Sequence, residues 1–427
     1  MFKMIIRARL EHYVKKYFKR HPEVKLVAVT GSVGKTGTKI AIGTVLSEKY
    51  KVRLHEGNYN SDLSSPVSML GVAFPEDIRN LKHWGAVFKA MRQRIKAPTD
   101  VDIIIQEVGT DRIGQVPHFG KYARPDIAVV TAVSAEHMEY FGTLDAVAAE
   151  ELSITNYSKK ALINRDNIAG EYAKFITNPN LRTYGTSEGA EYRFETADTV
   201  ANDGYNGQFV APEWELGAPA TINLLGEHSM RGAVAAGAVG ATLGMTGDEI
   251  ARGLAKIAAV SGRMNVLRGV ENTTLIDDTY NSSPLAAKSA LQTLYQFGAP
   301  QRIAVLGSMN ELGEMSAQAH TELGELCDPV ELAHVVTVGA EAEKYLAPAA
   351  RARGCHVVSF RSPIDAGAYV HKMLEPGAVV LFKGSQGGIF LEEAVKVVLH
   401  STDDQEKLVR QSTDWMAKKQ VFFDILS

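Results

Sequence analysis

Val27-Ala28-Val29-Thr30-Gly31-Ser32-Val33-Gly34-Lys35-Thr36 is the stretch that decides how this chain is read. The apolar run from Leu26 to Val29 predicts a buried strand, a glycine turn follows, and residues 36–49 predict a helix. Strand, turn and helix N-terminus together make a phosphate cradle, because backbone N–H groups and the positive end of the helix dipole face the anion. Gly31, Ser32, Val33, Gly34, Lys35, Thr36 and Gly37 are therefore the candidate ATP-binding residues. Lys35 is placed to reach the terminal phosphates, and the Thr36 hydroxyl to hold Mg²⁺. The full P-loop pattern wants another glycine five residues before Gly34, where Val29 stands, so the match is the shorter Thr-Gly-x-x-Gly-Lys-Thr. The plainer alternative is a glycine turn with a chance lysine. Strand, Gly-Lys-Thr and helix in this order favour nucleotide binding.

A chain of 427 residues predicts two domains. Apolar content of 45% and charge of 22% fit a globular protein. The net charge of -3 gives no reason to expect a nucleic-acid partner. Two cysteines, Cys327 and Cys355, build no disulfide framework and cannot alone complete a structural zinc site. A reducing, cytoplasmic setting is expected. No apolar run approaches the ~20 residues of a membrane span. The N-terminus has no apolar region followed by a small-residue cleavage site, so no signal peptide is expected.

Three segments are expected: a basic helix over 1–24, a central ATP-binding domain over 25–260, and a C-terminal α/β domain over 261–427. In the first, Ile6, Leu10, Tyr13, Val14 and Tyr17 recur at helical spacing, and residues 1–20 hold seven lysines and arginines against one acid, Glu11. The stripe predicts a helix docked on the following domain with its charges solvated. A peripheral contact with anionic lipid or a partner is the sharper alternative. In the second, Val101 to Ile105 predicts a strand running into Glu107, the position where P-loop sheets place a metal ligand or acid. Further strands are expected at 127–131 and 161–164, antiparallel segments over 180–226, and a helix capped by Thr246. From Ser261-Gly262-Arg263 onward strands and helices alternate, the pattern of a doubly wound, Rossmann-like α/β domain.

Several ordered segments together resemble the Mur ligase family of ATP-dependent peptide ligases. They include the P-loop, Gly57-Asn58-Tyr59-Asn60, Glu107-Val108-Gly109, Glu136-His137, Gly262-Arg263-Met264, Asp277-Asp278-Thr279-Tyr280-Asn281, Leu306-Gly307-Ser308 and Lys383-Gly384-Ser385. The resemblance spans roughly residues 25–400 and is greatest to the branch that adds a D-alanyl-D-alanine dipeptide. It implies that ATP phosphorylates a substrate carboxylate and that an amine then attacks the acyl phosphate. It also implies roles. Lys35 bridges the phosphates, Thr36 and Glu107 hold Mg²⁺, and His137 holds a second Mg²⁺. Arg263 and Asp278 close on the nucleotide, and Asn58, Asn60, Asn281, Ser308 and Lys383 lie near the substrates. Without the resemblance, His137 reads as a satisfied core histidine and Asp277 and Asp278 as ordinary strand-end acids.

Four departures accompany the likeness. The family usually places a carbamylated lysine a short helix after the histidine; here that position is Glu151, or Glu150 if the register slips by one. A carboxylate in the same place would present the same charge to Mg²⁺. The adenine-contacting asparagines are replaced within Gly226-Glu227-His228-Ser229-Met230-Arg231-Gly232. Gln386 stands where an arginine is frequent. Only 24 residues precede the Lys25 strand, so the domain that grips a UDP-sugar is expected to be absent, with residues 74–100 as a substitute surface. The expected partners are thus a small-molecule or peptide carboxylate and an amino-acid or dipeptide amine, most simply in peptidoglycan-type synthesis. The rivals are an amide ligase for another polymer or folate-like substrate, and a nucleotide-binding scaffold without catalysis.

Overall fold

The computed structural model describes residues 2–55, 57, 59–200 and 204–426. It is built on two sheets. The first contains β1 (Lys25–Thr30), β2 (Val52–Arg53), β3 (Ile103–Glu107), β4 (Ile127–Val130), β5 (Lys160–Asn164), β6 (Leu181–Gly185), β7 (Tyr192–Val200), β8 (Gly204–Val210) and β9 (Ala218–Ile222). Their order is β2-β3-β1-β4-β5-β6-β7-β8-β9. Strands up to β7 run parallel, and β7, β8 and β9 form an antiparallel meander. The second sheet contains β10 (Asn265–Arg268), β11 (Thr274–Asp278), β12 (Arg302–Gly307), β13 (His334–Val338), β14 (Val357–Phe360) and β15 (Val379–Lys383). Its order is β10-β11-β15-β12-β13-β14, parallel except for the β10 edge.

The helices of the first half are α1 (Phe2–Arg20), α2 (Lys35–Leu46), α3 (Ser64–Met69), α4 (Leu81–Lys96), α5 (Gln115–Tyr122), α6 (Met138–Phe141), α7 (Leu144–Leu152), α8 (Glu227–Thr242) and α9 (Gly247–Ala255). Those of the second are α10 (Pro284–Tyr295), α11 (Ser316–Glu325), α12 (Ala347–Ala352), α13 (Pro363–Met373), α14 (Glu392–Val398) and α15 (Thr413–Leu426). Central strands read as continuous apolar runs because helices cover both faces. On one face of the first sheet, Leu26, Ala28, Ile104 and Val130 pack with α1, α3, α4, α5 and α7. On the other, Val27, Val29, Ile103 and Ile105 pack with α2, α8 and α9.

The α1 stripe docks as its spacing predicts: Ile6, Leu10, Tyr13, Val14 and Tyr17 are its buried residues. Within residues 74–100 the helix is α4, whose Trp84, Val87, Phe88, Met91 and Ile95 face the same core. The region expected to be antiparallel from residue 180 onward differs at its start, since β6 pairs in parallel with both β5 and β7. Thr246 and Glu249 form the full reciprocal cap of α9. The charged C-terminal stretch folds back: Lys419 is 1% exposed, with its ammonium 2.8 Å from Glu392 Oε1 and 2.6 Å from Glu393 Oε1.

Leu10 is fully buried. Leu10→Ala is expected to lower unfolding stability by about 2–5 kcal/mol. Lys16→Ala, on the exposed side of the same helix, should stay within roughly 0.5 kcal/mol of the parent. Urea denaturation of both measures whether α1 belongs to the cooperative core; equal midpoints would mean it does not.

Candidate active site

β1 lies between β3 and β4, so the chain connections diverge at its C-terminal end and leave a crevice there. The P-loop fills this position. Gly34 caps α2 with φ 85° and Gly31 has φ 123°, both in the region that favours glycine. At Gly31 a Cβ would lie 2.3 Å from Thr131 Oγ1 and 2.8 Å from Ala132 N, so the loop can approach β4 this closely only with glycine. Thr131 Oγ1 donates toward Val33 O at 2.5 Å and Thr30 O at 3.1 Å, tying the loop down from the neighbouring strand.

Lys35 Nζ lies 2.5 Å from Gly31 O, 3.2 Å from Ser32 O and 3.2 Å from Glu136 Oε2. Burial alone would lower its pKa, but the carboxylates of Glu136, Glu151 and Glu107 outweigh burial and hold it above the ordinary value. Glu107 ends β3 and is buried. Its Oε1 accepts from Asn60 Nδ2 at 3.3 Å. Its Oε2 sits 3.3 Å from the buried Lys39 ammonium but receives no aligned hydrogen bond. Lys39, one turn after Lys35 on α2, lies behind the cleft lining as the partner of Glu107, a pairing that the sequence reading missed; the i, i+4 spacing of two lysines was its signal.

Glu151 lies on α7 beneath the loop. Its Oε2 accepts from Thr30 Oγ1 at 2.5 Å and from the Gly31 amide at 2.9 Å. Burial pushes its pKa up to about 7, against the pull of Lys35 and of those two donors. Glu150, the neighbouring acid, is spent elsewhere: it accepts from the Gly114 and Val116 amides, both at 2.7 Å, at the N-terminus of α5. His137 has φ 52°, a left-handed backbone for a non-glycine residue. Its Nδ1 stands 2.8 Å from Glu311 Oε2, on the second half of the chain, and its Nε2 3.7 Å from Glu136 Oε1.

The second sheet completes the crevice. Arg263 Nη2 donates to Thr36 Oγ1 at 3.3 Å, and its guanidinium lies 4.2 Å above the Tyr280 ring. Asp278 Oδ2 is 3.1 Å from Lys383 Nζ, which also donates to the carbonyl of Asn281. Burial lowers the Lys383 pKa below its usual value, with Asp278 opposing. Asp277 points the other way: it accepts from Thr279 Oγ1 at 2.6 Å and from the Gly262 amide at 3.0 Å, and burial raises its pKa to about 6. The resulting cleft of about 370 Å³ is lined by Ser32 to Gly37, Asn60, Glu107, His137, Arg263, Asp278, Asn281 and Lys383, among others. Volumes of this order are usual for small-molecule sites.

Residues 29–240 match the Mur ligase middle domain, and residues 262–386 match the Mur ligase, glutamate ligase domain. The chain belongs to the Mur ligase family. It is 27% identical over 382 residues to a UDP-N-acetylmuramoyl-tripeptide--D-alanyl-D-alanine ligase of Bacillus subtilis, covering 88% of this chain and 76% of that protein. The enzyme of the same name from Escherichia coli is 26% identical over 336 residues, covering 74% of this chain and 65% of its own length. Among solved structures, MurF from Acinetobacter baumannii superposes with a TM-score of 0.75 at 23% identity, covering 91% of this chain and 79% of that one. MurF from Thermotoga maritima in complex with ADP gives 0.72 at 24% identity, covering 91% and 83%.

Not every expected residue reaches this Mur ligase cleft. Ser308 lies outside its lining: its hydroxyl accepts from the Ala342 amide at 3.1 Å. Glu151 likewise sits under the P-loop, in contact with Thr30 and Gly31. Asn58 falls outside the described residues. Among the described residues no group of three or more His, Cys, Asp or Glu side chains is placed to hold a metal ion by itself. Mg²⁺ bound with a nucleotide needs only one or two carboxylates, because phosphates and water complete its octahedron. The unaligned, buried Glu107 Oε2 and the Thr36 hydroxyl, which line the same cleft, fit such an ion.

Arg410 is the residue furthest from any sequence signal. It forks onto Glu392 at 2.8 and 2.5 Å while donating to Thr279 O at 2.7 Å and Tyr280 O at 3.0 Å. It thereby holds the loop between Asp278 and Asn281 from behind. Arg410→Lys keeps the charge opposite Glu392 but loses the fork. It should raise KM for ATP severalfold with a smaller change in kcat, read from steady-state kinetics. Equal kcat and KM to the parent would remove Arg410 from the site.

The folded chain retains a proton on Glu151 that the unfolded chain has lost between about pH 4.5 and 7. This contribution to stability is present below the unfolded value and is lost as pH rises through the folded one. At about 1.36 kcal/mol per unit, the loss is of order 3 kcal/mol. Without nucleotide or Mg²⁺, Glu151→Gln is expected to flatten that decline and to be more stable than the parent above pH 7. Parallel stability–pH curves for the two proteins would count against a buried, proton-holding carboxylate.

Proposed function

We propose that this chain is an ATP-dependent amide ligase that joins a D-alanyl-D-alanine dipeptide to the terminal carboxylate of a UDP-N-acetylmuramoyl-tripeptide. The observation that carries the reading is the convergence of the P-loop with Arg263, Asp278 and Lys383 of the second sheet on one cleft. The named relatives supply the substrates. In the first step a carboxylate oxygen attacks the γ-phosphorus of ATP, and the bond to the ADP oxygen breaks. In the second the dipeptide amine attacks the acyl phosphate carbon. Inorganic phosphate leaves with the electron pair of the C–O bond, and the amine gives up a proton.

Phosphoryl transfer of this kind needs positioning and charge neutralisation more than covalent help. Lys35 leaves its resting contacts with Gly31 O, Ser32 O and Glu136 to meet the transferring phosphoryl group. Arg263, already beside Thr36, brings a second fixed cation from the opposite sheet. Thr36 and Glu107 are the residues that would hold a first Mg²⁺ and His137 the one that would support a second, while Glu151, outside the cleft lining, holds Thr30 and Gly31 of the loop from behind. When bound, Mg²⁺ would supply neutralisation of the phosphate charge. Asp278 accepts from the Met264 amide at 3.3 Å and holds Lys383, so the substrate side of the cleft keeps its shape before ligands enter. Asn60, Asn281 and Lys383 line the same cleft and are the residues that would meet the carboxylate and the amine.

A second reading is an amide ligase of the same mechanism acting on another carboxylate. The test has to separate the two, because the named substrates are those of relatives 27% and 26% identical to this chain. Phosphate release with both substrates, and mass spectrometry of the product, separate the readings. Release that needs UDP-N-acetylmuramoyl-tripeptide and dipeptide together supports the first. Release that neither compound stimulates, but another carboxylate–amine pair does, supports the second.

Lys35→Ala should abolish ATP turnover while leaving the fold intact. Loss of a charge beside the transferring phosphoryl group costs several kcal/mol, about a thousandfold or more in rate. A folded variant with substantial residual turnover would overturn the assignment of Lys35.

A further inference from the structure

We infer that the outer face of α1 and α4 is a docking surface for an anionic phospholipid membrane. The two helices lie side by side and parallel. Arg9 stacks 4.5 Å over the Phe88 ring, Tyr13 meets the same ring at 6.0 Å, and His21 reaches Ile95 O at 3.2 Å. Their inner sides share one core cluster, so their outer sides flank one seam, which Arg9 covers. Together the helices hold 12 of the chain's 46 lysines and arginines but only one of its 49 acids, Glu11. Their net charge is therefore +11, and the rest of the chain carries -14 to give the overall -3.

Most of these cations have nothing to neutralise them. Arg7 pairs with Glu11 and Asp62, and Arg94 with Asp100. Lys15, Lys16, Lys19 and Arg20 on α1, and Lys82 and Lys89 on α4, are exposed and make no ion pair to any described residue. A cationic face of this kind would suit any polyanion. The apolar tip decides between them. The contacts of Arg9 and Tyr13 with Phe88 and of His21 with Ile95 show the helices running in the same direction, so Phe2, which starts α1, and Leu81, which starts α4, lie toward the same end of the seam. There Phe2 is 41%, Met4 66%, Ile5 63% and Leu81 67% exposed. Solvated aliphatic side chains next to a cationic plane match a bilayer interface, where they enter the acyl boundary while lysines meet the headgroups. A nucleic-acid backbone offers them nothing. No helix of the described residues is long and apolar enough to cross a membrane, so the contact is peripheral.

The test is co-sedimentation of the full chain with vesicles of phosphatidylcholine alone and of phosphatidylcholine and phosphatidylglycerol in equal parts. Binding is expected only to the second, and it should weaken as salt is raised, because exposed charges are screened within about 10 Å at 0.1 M. Each lysine near an anionic surface is worth about fivefold in partitioning, so the triple variant Lys15→Glu, Lys16→Glu, Lys19→Glu should lose about a hundredfold or more. Met4→Ser with Ile5→Ser should weaken binding while keeping its salt dependence. Circular dichroism and ATP turnover in solution should be unchanged in both, since none of these residues lies in the cleft. Equal binding to both vesicle types, or none to either, would overturn the proposal. So would binding to a double-stranded RNA that the triple variant loses and the Met4, Ile5 variant keeps, in a chain that ignores anionic vesicles.

Discussion

The ammonium of Lys35 is the point on which the site depends. It is held by two carbonyls of its own loop and by Glu136, with the Glu107–Lys39 pair and Glu151 close enough to act on its charge. An ammonium kept charged in a buried place needs carboxylates around it, and carboxylates so placed need donors of their own. Glu151 finds them in Thr30 and Gly31, Glu107 in Asn60. Each requirement then fixes backbone. Gly31 must approach Thr131 too closely for any side chain, and β3 must end at Glu107 alongside β1.

The second half is tied to this centre by side chains whose neighbours do different work. Asp277 and Asp278 are adjacent, yet strand alternation sends them to opposite sides. Asp277 binds Gly262 and Thr279 and so sets the start of this half, while Asp278 joins Lys383 at the cleft. Arg263 leaves the same turn to meet Thr36. Behind the loop, Arg410 and Lys419 surround Glu392, a carboxylate with no exposure, and burial is outweighed by their charge so that its pKa is lowered. Fully buried ion pairs add little net stability but strongly penalise a broken geometry. The folded-back tail therefore serves to fix the Thr279–Tyr280 backbone more than to stabilise the chain.

The parts legible in the sequence are those written in local pattern. The α1 stripe, the glycine turn before α2, the Thr246 cap and the apolar strands of the second sheet each depend on residues within one turn or one strand. Edges were not legible. β10 is a half-exposed antiparallel edge without alternation strong enough to stand out, and β6 joins in parallel because of what lies beside it. Glu150 and Glu151 show the same boundary at the scale of a side chain. Both acids sit on one helix, but successive residues point about 100° apart. One faces the P-loop and the other the start of α5, and only the packing of α7 decides which. Arg410 had no signal, since its partners lie 18 and about 130 residues away.

The charges of the ligand-free cleft bear on what can enter it. Around the loop stand three carboxylates, Glu107, Glu136 and Glu151, against two ammonium groups, Lys35 and Lys39. Arg263 and Lys383 add two cations, of which Lys383 is already engaged by Asp278. A bare triphosphate would bring several more negative charges into a place where Lys35 is occupied by Glu136 and by its own loop. Freeing Lys35 strands Glu136 unless another cation replaces it, and bringing phosphate near Glu107 is unfavourable for the same reason. The arrangement thus favours a nucleotide that arrives with divalent cations over one that arrives alone. The carboxylates beside the phosphate loop are then the groups whose charge a divalent cation would offset.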